Sequence, residues 1–386
     1  MPIQCEIGHT LRRGGGRIVH PYAAWRAACL AALAVVVAAL AACGDASGPV
    51  DALDLSEPWT YVGPSAVGLD SARLETAAAQ AAAIPRFHAL LVARHGRLVL
   101  ERYFAGVDQQ TLNDVRSVTK SVVSTLAGIA HQRGLLPNLD TTIAAYLGAD
   151  YRLDAADSAV TVRDLLTMSS GYSWTETTAE YNRWISSAGD HVQFVLDLPV
   201  ANLPGTTFAY NTGAVHLLGV LLEHATGLSL PAFAERYLFT PLGIHDVEWE
   251  PLDPGTVNGG AGIDLRAQDL LRLGQLFLQE GRSGTHQIVP ADWVTLATRP
   301  YYTWRWGVGP LSTVTYGYLW WVSTTSIDAA YFAWGYGGQF IYVVPSQDLV
   351  VVATTDWTGI GDAAAVNALE SAVLDVIVNG VVPATH

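Results

Sequence analysis

The sequence predicts an α+β domain in which one antiparallel sheet, drawn from both ends of the chain, is flanked by helices, with an all-helical region adjoining it. Strand-forming residues gather at 87–104 and again at 316–355, while roughly 135–300 reads as helical pieces joined by Pro/Gly loops. The late strands follow one another closely enough for an antiparallel meander. First and last segments then share a sheet, with helical insertions between them.

The chain has 386 residues, half of them hydrophobic, with 12 Trp and 16 Tyr, enough for a sizeable core. Its formal net charge is −14. The first 42 residues hold four of its arginines and one glutamate, so the remainder is more acidic still. Such a surface repels phosphate backbones, and nucleic acid binding is excluded as a function class.

Residues 1–42 read as a targeting segment: Arg12, Arg13, Arg17 and Arg26 precede the apolar run ACLAALAVVVAALAA at 28–42, which is short and alanine-rich for a membrane span. It ends in LAACG. A small-residue site followed at once by cysteine resembles the bacterial lipobox, which implies a lipidated Cys43 as mature N-terminus and a protein tethered to the membrane of the cell envelope. Cys5 and Cys29 lie upstream of that cut, so no cysteine pair remains for an intramolecular disulfide. Residues 43–65, rich in Gly, Pro, Ser and acid, fit a flexible tether, and the folded domain is expected over 66–386.

LDSARLETAAAQAAA at 69–83 reads as a helix capped by Asp70 or Ser71. FHALLVA (87–93) and LVLERYF (98–104) form a hairpin around RHGR, where Gly96 takes the positive φ of a tight turn. SVTKSVVSTLAGIAHQRG (117–134) is a helix from Ser117 to a glycine stop. YGYLWWV (316–322), YFAWG (331–335), QFIYVVP (339–345) and DLVVVATT (348–355) supply the meander, and a helix near 361–378 ends the chain.

Lys120 is the only lysine in a chain that writes every other cation as arginine. Arginine keeps its charge, whereas lysine loses its proton when desolvated. On a helix, residues i and i+3 share a face, so Ser117 and Lys120 point to the same place: a nucleophile beside a base. A free lysine is neutral only about 0.04% of the time at pH 7, so this use requires a downward shift of roughly three units. Burial at a positive helix start pushes that way, and the same helix start offers backbone N–H groups for an oxyanion. No G-x-S-x-G elbow occurs, and the eleven histidines show no metal-ligand spacing, so neither metal nor organic cofactor is expected.

RSVTKS (116–121), LLTMSSGY (165–172), PGTTFAYNTGAVHLLG (204–219), FTPLGI (239–244) and GYGGQFIYVVP (335–345), in that order, resemble the serine β-lactamase-related superfamily. Its members include class C β-lactamases, penicillin-binding DD-peptidases, lactamase-fold esterases and 6-aminohexanoate-oligomer hydrolases. The resemblance spans roughly 66–380. It implies a β-lactamase/transpeptidase-like fold with the site between sheet and helical region, Ser117 as acylated nucleophile, Lys120 as its base, and Tyr210 as the proton relay to the leaving group. The oxyanion would lie between the backbone amides of Ser117 and Tyr336.

Two departures bear on substrate. Position 212 is threonine where the family usually has asparagine, with Asn211 one place early, so the amide-recognition contact falls to Asn211, to Thr212, or to neither. Where β-lactamases and DD-peptidases carry Lys-Thr-Gly or His-Thr-Gly, this chain reads Ala333-Trp334-Gly335, with no cation for a substrate carboxylate. Arg299 or Arg305 could supply one from elsewhere. Trp334 is a substrate wall or core, and Trp304, Trp306, Trp320 and Trp321 line an apolar acyl pocket or pack. The expected activity is hydrolysis of a small-molecule ester or amide through an acyl-enzyme. β-Lactam or D-Ala-D-Ala peptide hydrolysis, and a catalytically silent envelope binding protein, are the alternatives.

The lipobox reading predicts that wild-type protein labels with palmitate and partitions into detergent, and that Cys43→Ser does neither. Equal labelling of the two refutes it.

Overall fold

A computed structural model describes residues 52–385 apart from 177–178, 305–306 and 325–327. The targeting segment, Cys43 and the first part of the tether therefore lie outside the described residues, as do Arg305, Trp306 and the side chain of Trp304.

Helix α1 (Ser71–Ala83) starts where the sequence places a cap, with the Asp70 carboxylate accepting from the Ala72 and Arg73 amides. The hairpin follows as β1 (Phe87–Arg94) and β2 (Arg97–Tyr103), joined by His95 and Gly96, both at positive φ, the two-residue turn whose twist matches the strands. β3 (Leu112–Asp114) leads into α2 (Val118–Gln132). After several short helices come α3 (Thr212–Thr226), β4 (Glu248–Trp249), β5 (Ile263–Arg266) and α4 (Ala267–Leu278). A small hairpin, β6 (Arg282–Ser283) and β7 (His286–Gln287), precedes the late strands. These are β8 (Tyr302–Trp304), β9 (Val314–Tyr316), β10 (Trp321–Thr324), β11 (Ala329–Gly335), β12 (Gln339–Val344) and β13 (Leu349–Thr355), and α5 (Ala363–Asp375) follows them.

Eight strands make one antiparallel sheet in the order β2-β1-β13-β12-β11-β10-β9-β8, so the early hairpin docks on the last strand. Every residue of β12 and β13 is buried, which requires cover on both faces. Helices α2 and α4 cover one face, meeting over Ile341, and α1 with the C-terminal helical segment lies against the other.

Residues 53–62, expected as part of a flexible tether, instead pack on the domain: Leu55 is buried, its amide donating to Ser283 Oγ at 2.8 Å and its carbonyl accepting from Arg272 Nε at 3.0 Å, and Val62 N donates to Leu98 O. Two features of the sheets also depart from the sequence reading. The run 316–322 is not one strand: β9 ends at Tyr316, and the chain turns through Leu319, at φ +60°, before β10 begins at Trp321. Leu319 ties that turn to the helical region and to α2, its amide donating to Leu166 O and its carbonyl accepting from Ser121 Oγ. The turn drives Trp320 into the core, 4.3 Å from the Phe277 ring, so Trp320 lines no acyl pocket. The second feature is a small sheet, β3-β5-β4, whose two- to four-residue strands are too short to show a period. It pins the segment before α2 to the Ile263 strand, with Val115 N donating to Ile263 O.

Because Trp320 is fully enclosed against Phe277 and Tyr331, truncating it leaves a large void. Trp320→Ala is expected to lower unfolding stability by about 3–5 kcal/mol, read from urea melts. A loss below about 1 kcal/mol would mean the indole is not a core side chain.

Candidate active site

The chain enters the site through a strained step. Arg116, immediately before Ser117, sits at φ +47°, a conformation costly for a residue with a side chain. Its surroundings hold it there: the Arg116 amide donates to Asp114 Oδ1 at 3.0 Å, the guanidinium donates to the Tyr181 hydroxyl at 3.0 Å, and it lies 4.5 Å over the Trp357 ring. Ser117 then takes the N-cap position of α2, with its side chain turned away from the helix amides. A capping serine normally engages those amides, so this hydroxyl is left for other partners.

Its partner is Lys120, one turn on. The Lys120 ammonium position is buried, with Nζ 2.8 Å from Ser117 Oγ, 2.9 Å from Thr212 Oγ1 and 2.7 Å from the Gly260 carbonyl. Burial pushes the lysine down to about 7; Glu176 opposes that shift and Arg116 reinforces it. Half-neutral near pH 7, this amine meets the requirement that the sequence could only pose.

The phenol of Tyr210, on the loop before α3, lies near the same hydroxyl. Its ring stacks on Trp321 at 5.6 Å and lies 4.9 Å from Lys120 Nζ. Burial holds the phenol well above its ordinary value. Of the two candidates beside Ser117, lysine is therefore the one that can lack its proton at neutral pH, and tyrosine the one that keeps it.

The far strand completes the cleft. A Cβ on Gly335 would lie 2.1 Å from the Val115 carbonyl, so only glycine lets β11 approach the segment leading to Ser117 this closely. The amides of Ser117 and Tyr336 have no backbone partner among the described residues. The turn carrying Tyr336 is fixed by its neighbour, Gly337, whose amide donates to Glu370 Oε1 at 2.8 Å and whose carbonyl accepts from Thr355 Oγ1 at 2.6 Å. Burial pushes Glu370 up to about 7.

The structure redistributes the other expected residues. Asn211 does not face a substrate: it is 1% exposed, and its Oδ1 caps α3 by accepting from the Ala214 amide at 2.9 Å. Thr212 is equally buried, and its contacts are Lys120 and Glu176. Trp334 is half-buried, stacked on Phe340 and 5.4 Å from Trp321. Trp321 backs Tyr210. The Ala333 side chain is fully buried in the sheet, and Arg299 lies over the Tyr301 ring.

Glu176, Gly260 and Glu370 escaped the sequence reading because nothing in their spacing links them to Ser117. Arg116 had a signal, since it directly precedes Ser117 within the quoted motif.

A chain with a single lysine allows a direct test of its environment. With 13Cε-lysine labelling, the one resonance is expected to titrate near pH 7. A midpoint at the ordinary lysine value, near 10.5, would overturn the buried, depressed amine.

Comparison with known proteins shows the family to which the chain belongs. Esterase EstB of Burkholderia gladioli is 30% identical over 187 residues, 42% of this chain and 47% of the relative. Lovastatin esterase of Penicillium rubens is 28% identical over 213 residues, 44% and 53% of the two chains, so the matches span about half the length of these relatives. Among solved structures, a Bacillus anthracis protein proposed to be a 6-aminohexanoate-dimer hydrolase superposes with TM-score 0.68 at 18% identity, covering 87% of this chain and 89% of that one. The Beta-lactamase family pattern matches residues 74–374, nearly the whole of the described domain, and the chain belongs to that family.

Proposed function

We propose that the protein is a serine hydrolase that cleaves uncharged carboxylic esters through an acyl-enzyme. The observation that carries this reading is the buried, proton-poor Lys120 amine 2.8 Å from Ser117 Oγ. Ser117 Oγ attacks the ester carbonyl and its proton passes to Lys120 Nζ. The oxyanion is held by the Ser117 and Tyr336 amides. As the carbon–oxygen bond to the alcohol breaks, Tyr210 gives that oxygen its phenolic proton and regains one from the lysine. Water then attacks the acyl-enzyme, surrendering a proton to the same base, and Ser117 leaves with its hydroxyl restored.

The choice of an uncharged ester rests on the cations. Ala333 offers none, and Arg116 is engaged by Asp114, Tyr181 and Trp357. A charge-assisted contact to a carboxylate is worth about 1.5–3 kcal/mol, or one to two orders of magnitude in binding. The two curated relatives are both esterases. With Cys43 lipidated, the enzyme would act at the surface of the cell envelope.

Turnover of p-nitrophenyl acetate or butyrate is expected to exceed that of nitrocefin by at least about tenfold. Lys120→Arg should be nearly as inactive as Ser117→Ala, because arginine keeps the charge but not the lone pair. Nitrocefin hydrolysis equal to that of the esters would overturn the ester preference. Folded Lys120→Arg protein with wild-type rates would overturn the mechanism.

A further inference from the structure

The geometry points to Thr212 and Glu176 as positioning residues that hold the Lys120 amine with its lone pair directed at Ser117. The inference rests on the reading of Ser117 as nucleophile and adds what makes its base directional.

A neutral amine has two N–H bonds and one lone pair, and Lys120 Nζ has three neighbours. The Gly260 carbonyl has no proton to give, so it must receive one N–H. Thr212 Oγ1 is ambiguous by itself, since a hydroxyl donates or accepts. Glu176 removes the ambiguity: its Oε1 takes the Thr212 hydroxyl proton, so Oγ1 can only accept from Lys120. Both N–H bonds are then committed. The lone pair is left facing Ser117 Oγ, where a base needs it.

Glu176 is itself held in one setting. Its Oε2 accepts from Thr212 N at 3.0 Å and from Trp174 Nε1 at 2.6 Å, so both carboxylate oxygens act purely as acceptors. When the serine proton arrives, the ammonium finds three acceptors already placed and a carboxylate one hydroxyl away. One cage therefore suits both protonation states. The charged or titratable groups facing Lys120 are Glu176 from the segment before the short Ala179–Ile185 helix, Arg116 from the turn before α2, and Tyr210 from the loop before α3.

Glu176→Gln tests this sharply. Two N–H donors converge on the Oε2 position, so the amide oxygen must sit there, which turns the NH₂ toward Thr212 Oγ1. Thr212 then accepts from Gln and donates to the Lys120 lone pair, taking it from Ser117. The readout is the rate at which a fluorophosphonate phosphonylates Ser117 as a function of pH. The Ser117 O–P bond forms, P–F breaks, Lys120 receives the proton, and fluoride leaves unprotonated, so the assay isolates the base from Tyr210.

Glu176→Gln is expected to lower the plateau rate on the order of 100-fold, and to move the acid limb to lower pH because no carboxylate then favours the ammonium. Thr212→Val should fall similarly, while Thr212→Ser, which keeps the hydroxyl, should restore the rate to within several-fold. Wild-type rates and an unmoved acid limb in Glu176→Gln and Thr212→Val would overturn the inference. If Glu176→Gln fails to fold by circular dichroism, the Thr212 pair decides, and equal rates for Val and Ser overturn it. Wild-type protein that labels at Ser117 but cleaves no ester refutes the ester reading alone. Absence of Ser117 labelling in the wild type refutes both.

Discussion

Desolvation of a single amine is the constraint around which this molecule is arranged, and it works against the stability of the fold that imposes it. Moving Lys120 from its ordinary value to about 7 corresponds to roughly 4–5 kcal/mol of differential interaction. The unfolded chain holds that proton more tightly, so the lysine opposes folding in full below about pH 7, and the opposition fades as pH rises toward the ordinary lysine range. The offset comes from elsewhere, from a sheet whose adjoining inner strands β12 and β13 are buried on both faces.

Keeping the amine dry requires pieces of chain far apart in sequence to meet with no gap. The Gly260 loop reaches Lys120 because β5 pairs with β3 directly before Ser117. Strand β11 reaches the Ser117 segment because residue 335 has no side chain to keep it from Val115. Arg116 carries the residual strain. Its guanidinium is held by an acid, a phenol and an indole, which also hold its backbone where Ser117 can turn its hydroxyl away from the helix. The second cation beside Lys120 thus belongs to the device that lowers the lysine.

The same economy of polar groups appears at Thr212. An asparagine ends a hydrogen-bond chain at its own amide, with donor and acceptor on separate atoms. A hydroxyl accepts and donates through one oxygen and so passes the contact from Lys120 to Glu176. The departure from the family pattern at residue 212 is therefore a change in how the Lys120 amine is held. Asn211 one place earlier is no substitute, since its carbonyl oxygen is occupied by the start of α3.

Local chemistry determined a good deal without any structure. The cap at Asp70, the turn at His95-Gly96, the i, i+3 pairing of Ser117 with Lys120 and the strands flanking residue 335 are all set by neighbours within a few residues, and such signals survive in sequence. The uniqueness of Lys120 pointed to chemistry because lysine, unlike arginine, has a proton to lose. Only the tertiary structure decided which tryptophan is core and which backs the tyrosine, because a turn at Leu319 reverses the alternation that a continuous strand would impose. It alone brought Glu176, Gly260 and Glu370 to the site. Burial and long-range hydrogen bonds depend on what lies across the gap, and a sequence read along its own length carries no record of that.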